Sequence, residues 1–331
     1  MTIMEKVKVG FIGVGGIASL HLKNMKKHEQ VEIVAVCDIV QENALRVGQE
    51  YGATSYTNAD EMLEKEKLDA LFICVPPFAH GDIEEKAVKL GIHILVEKPV
   101  GLDMDIVQDK FKVIKDSGVI CATGYCLRYL DTVAKAKEYL KDKEVAMIRG
   151  HYLTSFVQTP WYREIEKSGG QLVEQATHTL DLIRYLGGAE IDKVYANMSL
   201  QLLSDIPKIN IPDVTSVNFT LTNGAVGHLD CSVIQPDHRM GVELLGKNFR
   251  VVIDGVNLTI VDQESTVTYK SKVDFYEEQD NAFIEAILTN NEELILSNYE
   301  NGLKTLSVSL AANESNITGK AIEIDNVLVS N

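Results

Sequence analysis

Three groups of residues have types and spacings that could do chemistry. Gly13-Val14-Gly15-Gly16-Ile17-Ala18 follows an apolar run, Val7–Ile12, and opens a helical pattern that continues to about Lys27. Glycines in that context permit a tight turn and let backbone N–H groups approach a pyrophosphate at the helix N-terminus, where the dipole is positive. Ala18 is small enough for the helix to lie close to a sheet. Asp38 ends the next apolar run, Val31–Cys37, at the place where a carboxylate accepts hydrogen bonds from the adenosine ribose hydroxyls. The same carboxylate repels a 2′-phosphate, and Ile39 supplies no positive charge to offset it. The spacing therefore predicts NAD rather than NADP.

The second group follows two later apolar runs. Pro76-Pro77 with His80 comes after Ala70–Val75, and a loop there walls the adenosine side of a dinucleotide. Glu97-Lys98-Pro99 comes directly after Ile92–Val96, so Lys98 is aimed at the ligand crevice and Pro99 fixes the local backbone. A lysine there can hold the oxygen of a reacting alcohol or carbonyl. The third group lies within Gly169–Asp181. Read as one helix at about 100° per residue, Leu172, Ala176, Leu180 and Ile183 share roughly an 80° arc. Glu174, His178 and Asp181 fall within about 60° on the opposite side, two carboxylates around one imidazole. A carboxylate-oriented histidine suits general-base work. Taken alone, these patterns are also compatible with a surface lysine and an incidental His80, and the Gly169–Asp181 pattern by itself reads first as the solvated face of an ordinary amphipathic helix. The acid–histidine cluster lacks a second ligand set, so no metal is expected.

The elements around these residues fall into two halves. Through about residue 125, near-continuous apolar strands alternate with amphipathic helices: Gln41–Tyr51 stopped by Gly52, Ile83–Leu90 stopped by Gly91, and Asp103–Ser117 stopped by Gly118. The pattern predicts a doubly wound parallel sheet covered on both faces. After Asp131 the pattern changes. A helix at Thr132–Leu140 leads into a strand-like stretch, Val145–Val157, and Lys193–Tyr269 reads mostly as strand. Val214–Leu221 alternates, turns at Thr222-Asn223-Gly224-Ala225 and returns as Val226–Ile234, in the manner of a hairpin. Helices follow at Glu277–Leu288 and Tyr299–Asn313. An α+β domain with a large, mostly antiparallel open sheet is expected, with the boundary between residues 125 and 126.

Composition narrows the function. The 331 residues carry 32 basic and 48 acidic side chains, a net charge of −16. No basic stretch escapes that balance, so nucleic acid and membrane surfaces are not expected partners. No apolar run approaches the roughly 20 residues a membrane-spanning helix needs, and Met1–Lys8 gives no leader pattern. The five cysteines show no metal-binding spacing and read as reduced thiols of a cytoplasmic protein.

Together the glycine loop, Cys37-Asp38, Pro76-Pro77 with His80, Glu97-Lys98-Pro99 and the Gly169–Asp181 segment resemble the glucose–fructose oxidoreductase/inositol dehydrogenase (Gfo/Idh/MocA) family, nearly end to end. Asn301-Gly302-Leu303-Lys304-Thr305-Leu306 and Thr318-Gly319-Lys320 are also family-like. The resemblance implies an N-terminal Rossmann domain, a nicotinamide cofactor and a sugar or cyclic-polyol substrate. It implies that Lys98 contacts substrate oxygen and nicotinamide, and that His178 accepts the proton. Glu174 stands where relatives usually have aspartate; it either holds a different substrate hydroxyl or orients His178. Asp181 matches an often acidic position, and Arg128-Tyr129 and Trp161-Tyr162-Arg163 resemble segments lining nicotinamide and substrate. A homodimer or homotetramer is implied as well. The same parts would also serve redox-neutral elimination, glycoside cleavage or epimerisation through transient oxidation, or a non-catalytic nucleotide sensor.

Overall fold

Residues 6–324 are described by a computed structural model. Residues 1–5 and 325–331, the outer ends of the two expected domains and most of the Met1–Lys8 segment, lie outside the described residues. The first stretch builds strands β1 (Val7–Ile12), β2 (Val31–Cys37), β3 (Thr54–Tyr56), β4 (Ala70–Ile73), β5 (His93–Val96) and β6 (Cys121–Thr123). Between them run α1 (Gly16–Lys27), α2 (Gln41–Tyr51), α3 (Ala59–Lys65), α4 (Ile83–Lys89) and α5 (Met104–Ser117). The strand order is β3-β2-β1-β4-β5-β6, parallel throughout. The order reverses between β1 and β4, and open α/β sheets bind ligands at the carboxyl ends of strands flanking such a point. β4 is buried at every residue, as a strand covered on both faces must be. The sequence reading lacks β3 and does not delimit α3. β3 is a short, partly exposed edge strand, while α3 is announced by Asn58, whose side chain accepts the Glu61 N–H at 3.1 Å.

The next stretch forms α6 (Asp131–Leu140), β7 (Val145–Leu153), α7 (Ile165–Ser168), α8 (Gln171–Glu174) and α9 (Thr177–Gly187), then β8 (Ile191–Ser199) and β9 (Val214–Leu221). β10 (Val226–Ser232), β11 (Arg239–Gly246), β12 (Phe249–Asp254), β13 (Asn257–Asp262) and β14 (Thr266–Tyr269) follow. They join a nine-stranded sheet, antiparallel except where β10 pairs with β7. β9 keeps the expected alternation, with Thr215, Val217, Phe219 and Leu221 buried and the intervening residues more open. α9 packs on the buried face. A Cβ on Gly150 of β7 would come within 2.9 Å of Ile183 and 3.2 Å of Thr179, so a larger residue there would press on that contact.

The chain ends with α10 (Phe275–Thr289), α11 (Tyr299–Thr318) and β15 (Ile322–Glu323). Contacts divide the molecule into two compact units, the first running through Cys126 together with Asp274–Leu303, the second Leu127–Val273 together with the chain from Lys304 on. Residues 274–303 thus depart from the expected assignment of 126–331 to one domain. The cause is burial: Phe283 and Ile284 of α10 are fully buried in the core of the first unit, where Phe283 stands edge-on to Phe72 and Phe72 stacks on Phe11.

Candidate active site

In the first unit the glycine loop is built as its sequence demands. Gly13 has φ +82, and a Cβ there would lie 2.7 Å from the Cys74 carbonyl oxygen. Its N–H is tied to Cys37 O at 2.8 Å, which holds the loop against the end of β2. Gly15 is the N-cap of α1, with no capping side chain and no acidic residue in the first turn. The helix therefore offers its N-terminal N–H groups outward, since no side chain of its own takes them. A Cβ on Gly15 or Gly16 would meet no protein atom within 4 Å, so the space beside the helix start is open. Ile17 is half-buried against the core and Ala18 fully buried.

Asp38 lies beside this loop. Its Oδ2 accepts the Val14 N–H at 3.1 Å and its Oδ1 the Val40 N–H at 2.9 Å. Ile39, next to it, is 92% exposed, a bare apolar surface adjoining the carboxylate. Pro76 is extended and Pro77 begins a 3-10 turn through Ala79, leaving Phe78 exposed at the tip. His80, expected on this wall, is buried. Its Nδ1 lies 2.6 Å from Glu84, whose other oxygen accepts from buried Lys110 at 2.7 Å. Burial alone would raise the Glu84 pKa, but the charges and hydrogen bonds of His80 and Lys110 outweigh it and hold the carboxyl below its usual range. His80 thus braces the loop from beneath.

Glu97 also turns inward. It is buried, 3.1 Å from His21 Nε2, and accepts the Lys98 N–H at 3.1 Å. Lys98, past the end of β5, keeps partial exposure. His21 lies between Glu97 and Asp280, whose Oδ1 is 2.7 Å from Nδ1. Burial would push the imidazole pKa down; the charge and hydrogen bond of Asp280, aided by Glu97, hold it up at about 10. A group raised above its ordinary 6.5 contributes its full stability below that value and loses it as pH climbs toward 10, at about 1.4 kcal/mol per pH unit. The urea midpoint is therefore expected to fall between pH 7 and 9.5, with a slope that flattens in His21→Gln; parallel curves for the two proteins would refute this.

In the second unit, Gly169 and Gly170 both take positive φ, +73 and +84, and reverse the chain into α8. The expected single helix is then interrupted. Gln175 N and Ala176 N both donate to Gln171 O at 2.9 Å, and α9 starts afresh at Thr177. Such a bulge shifts the phase of the helix, and bulges of this kind are frequent at functional sites. From Gly169 to Leu180 every residue is buried except Glu174, Gln175 and His178. Asp181 leaves the face they share. It is buried and receives Arg128 Nε at 2.7 Å and Nη2 at 2.6 Å, with Thr305 Oγ1 at 3.2 Å. Arg128 in turn lies over the Tyr185 ring, 4.5 Å from its centroid. Arg128 and Asp181, both among the expected substrate-site residues, are thus buried and paired with each other. Tyr129 is half-buried beside Arg128. Trp161 and Arg163 flank buried Tyr162 on a 3-10 turn, and Trp161 packs with Phe156, Val157, Leu203 and Ile209 around a small satellite core. Tyr162 Oη donates to Gln175 Oε1 at 2.9 Å, tying this turn to the helix interruption.

Sequence reasoning missed the buried group His21, Asn24 and Asp280 that adjoins Glu97. The available signal was a histidine and an aspartate on the apolar stripes of α1 and α10. Among the described residues no cluster of metal-binding side chains occurs, and no helix is long and apolar enough to cross a membrane.

A glycine loop at the start of α1 with the Asp38 carboxylate beside it, on a doubly wound parallel sheet, defines a dinucleotide-binding fold. Comparison with known proteins makes the assignment. Residues 7–125 match the oxidoreductase family with an NAD-binding Rossmann fold, and residues 133–255 match the GFO/IDH/MocA C-terminal domain. The chain belongs to the GFO/IDH/MocA family of NAD-binding oxidoreductases. It is 25% identical over 337 residues to a myo-inositol 2-dehydrogenase of Thermotoga maritima, covering 97% of this chain and 100% of that one. A scyllo-inositol 2-dehydrogenase (NAD(+)) of Bacillus subtilis is 28% identical over 255 residues, 75% of this chain and 74% of its own. The fold superposes on levoglucosan dehydrogenase in complex with NADH and levoglucosan at a TM-score of 0.86 and 19% identity, covering 97% and 100% of the two chains.

The residues present fit an NAD molecule. The open space at Gly15 and Gly16 admits a pyrophosphate, and Asp38 is clamped with its carboxylate beside the loop. Asp38→Ala is expected to weaken NADH binding by about 10- to 100-fold, the worth of a charged hydrogen bond, and to strengthen NADPH. Titration calorimetry with both nucleotides checks it; unchanged NADH affinity would remove Asp38 from the site.

Proposed function

We propose that this protein reversibly oxidises a secondary hydroxyl of a sugar or cyclic polyol with NAD. The observation that carries this reading is the exposure left at the α8–α9 interruption: within a buried run, Glu174 and His178 stay accessible. An accessible carboxylate and imidazole on a rigid helix pair suit proton removal from an alcohol. When bound, the nicotinamide supplies the hydride acceptor. The role of His178 is to take the hydroxyl proton; that of Lys98 is to donate to a substrate oxygen, offsetting negative charge that develops on it. Glu174 orients His178 or holds a neighbouring hydroxyl. Trp161, Arg163 and Tyr129 contribute to the substrate wall, with Arg128 and Asp181 bracing it from behind. The inositol dehydrogenases among the relatives support this substrate class.

A reducing cytoplasmic setting belongs to the same reading, because all five cysteines are free and buried. So does self-association into a homodimer or homotetramer: Met147, Tyr195 and Val226 are exposed on the open face of the large sheet. Sedimentation as a monomer would remove that part.

The test is NADH absorbance with NAD and a panel of pyranoses, inositols and related polyols. A signal abolished in His178→Ala supports the dehydrogenase reading. A flat panel with intact NADH binding and altered products would replace it by redox-neutral chemistry.

A further inference from the structure

A buried chain of hydrogen bonds in the first unit ends at the backbone of Lys98. Asn24 Nδ2 donates to Asp280 Oδ2 at 2.9 Å, and Asp280 Oδ1 lies 2.7 Å from His21 Nδ1. His21 Nε2 lies 3.1 Å from Glu97 Oε1, and Glu97 Oε2 accepts the Lys98 N–H at 3.1 Å. His21 and Asp280 are 0% exposed and Glu97 is 4% exposed. Apolar side chains of similar volume commonly serve stability as well as buried charges do. The proposed hydride transfer makes no direct use of these three, so their arrangement has to be explained by what they hold.

The arrangement is directional. Each ring nitrogen faces a carboxylate oxygen, and only a doubly protonated imidazole donates on both sides at once. Glu97 has little room to swing, since a Cβ on Gly124 would lie 2.6 Å from its carboxylate. The carboxylate thus joins a helix of the core to the first backbone atom of Lys98, one bond from the carbon that carries the side chain.

We propose that His21, with Asp280 behind it, is a positioning residue for Lys98: it fixes Glu97, and Glu97 fixes the backbone from which the Lys98 ammonium reaches the substrate oxygen. This rests on the role given to Lys98 above. The titratable groups facing His21 are Asp280, Glu97 and Tyr276, whose ring stands edge-on at 6.2 Å; the Phe72 ring lies at 5.3 Å. The nearby Cys74 and Cys126 thiols feel Glu97 and are pushed up by burial, so they stay neutral while His21 titrates.

The experiment has two arms. In NAD-free protein, lysines are reductively 13C-methylated and the Lys98 signal is assigned by its loss in Lys98→Arg. In folded His21→Gln, and more weakly in Asp280→Asn, its chemical shift and titration midpoint are expected to move toward those of solvated lysines while other lysine signals hold. An unchanged Lys98 signal in the folded variants overturns the proposal, and if His21→Gln does not fold, Asp280→Asn decides. In the kinetic arm, Asp280→Asn keeps an acceptor for His21 but loosens its proton, so the pH at which kcat falls on the alkaline side should drop by at least one unit, with NADH affinity within twofold. A purely structural role would lower the melting temperature and leave that limb in place. A wild-type enzyme that oxidises no polyol would remove the substrate assignment, while the lysine signal would still decide positioning.

Discussion

Lys98→Met is expected to lower kcat by about 100- to 1000-fold on any polyol the wild-type enzyme oxidises, the usual cost of removing one preorganised donor from a developing oxyanion. Methionine keeps the length and most of the volume of the side chain, so packing at the end of β5 changes little and the loss reports the ammonium. The dinucleotide cradle, built from Gly13, Gly15, Gly16 and Asp38, is untouched, so NADH affinity should stay within a few-fold. The two effects separate in steady-state kinetics at saturating NAD alongside direct NADH titration. A variant that binds NADH poorly but turns over normally at saturation would make Lys98 a cofactor anchor, with no part in the chemistry.

The second large effect is on stability. Asp181→Ala leaves the Arg128 guanidinium buried without the carboxylate that now receives two of its N–H groups. Arg184 Nη1, 3.8 Å from the same carboxylate, loses a second favourable contact. Breaking a buried pair from one side costs about 3–5 kcal/mol. For a unit of this size that is roughly 10 °C in melting temperature. Calorimetry of the variant checks it. A direct substrate contact would instead raise KM at an unchanged melting temperature.

These residues also show which parts of the protein were legible in the sequence. β1, β2, α2 and β9 have the limits that apolar runs, alternation and a glycine stop predict, because local pattern and tertiary burial agree there. The glycine loop was legible for the same reason: its chemistry is local. The Gly169–Asp181 segment was only half legible. Periodicity treats a helix as continuous and does not see the break at Gln171–Ala176, and it cannot see Arg128 and Thr305, whose pairing with Asp181 goes with that residue's burial while Glu174 and His178 stay accessible. The partners of Asp181 and His21 were not legible at all. Arg128 lies 53 positions from Asp181 and Asp280 lies 259 from His21, and a single sequence carries no record of such pairings. The return of α10 to the first unit was hidden likewise, since its apolar stripe announces a core without saying which.

That return has a consequence for how the protein is made. A ribosome delivers all six strands of the first sheet long before it delivers Asp274–Leu303. At about 5–20 residues per second, the roughly 150 residues between them occupy on the order of 10–30 s. During that interval the nascent sheet waits with Phe72 lacking its cover and His21 lacking Asp280. The first domain to emerge is therefore among the last to close, and the newborn chain presents an apolar surface that a chaperone can hold until α10 arrives.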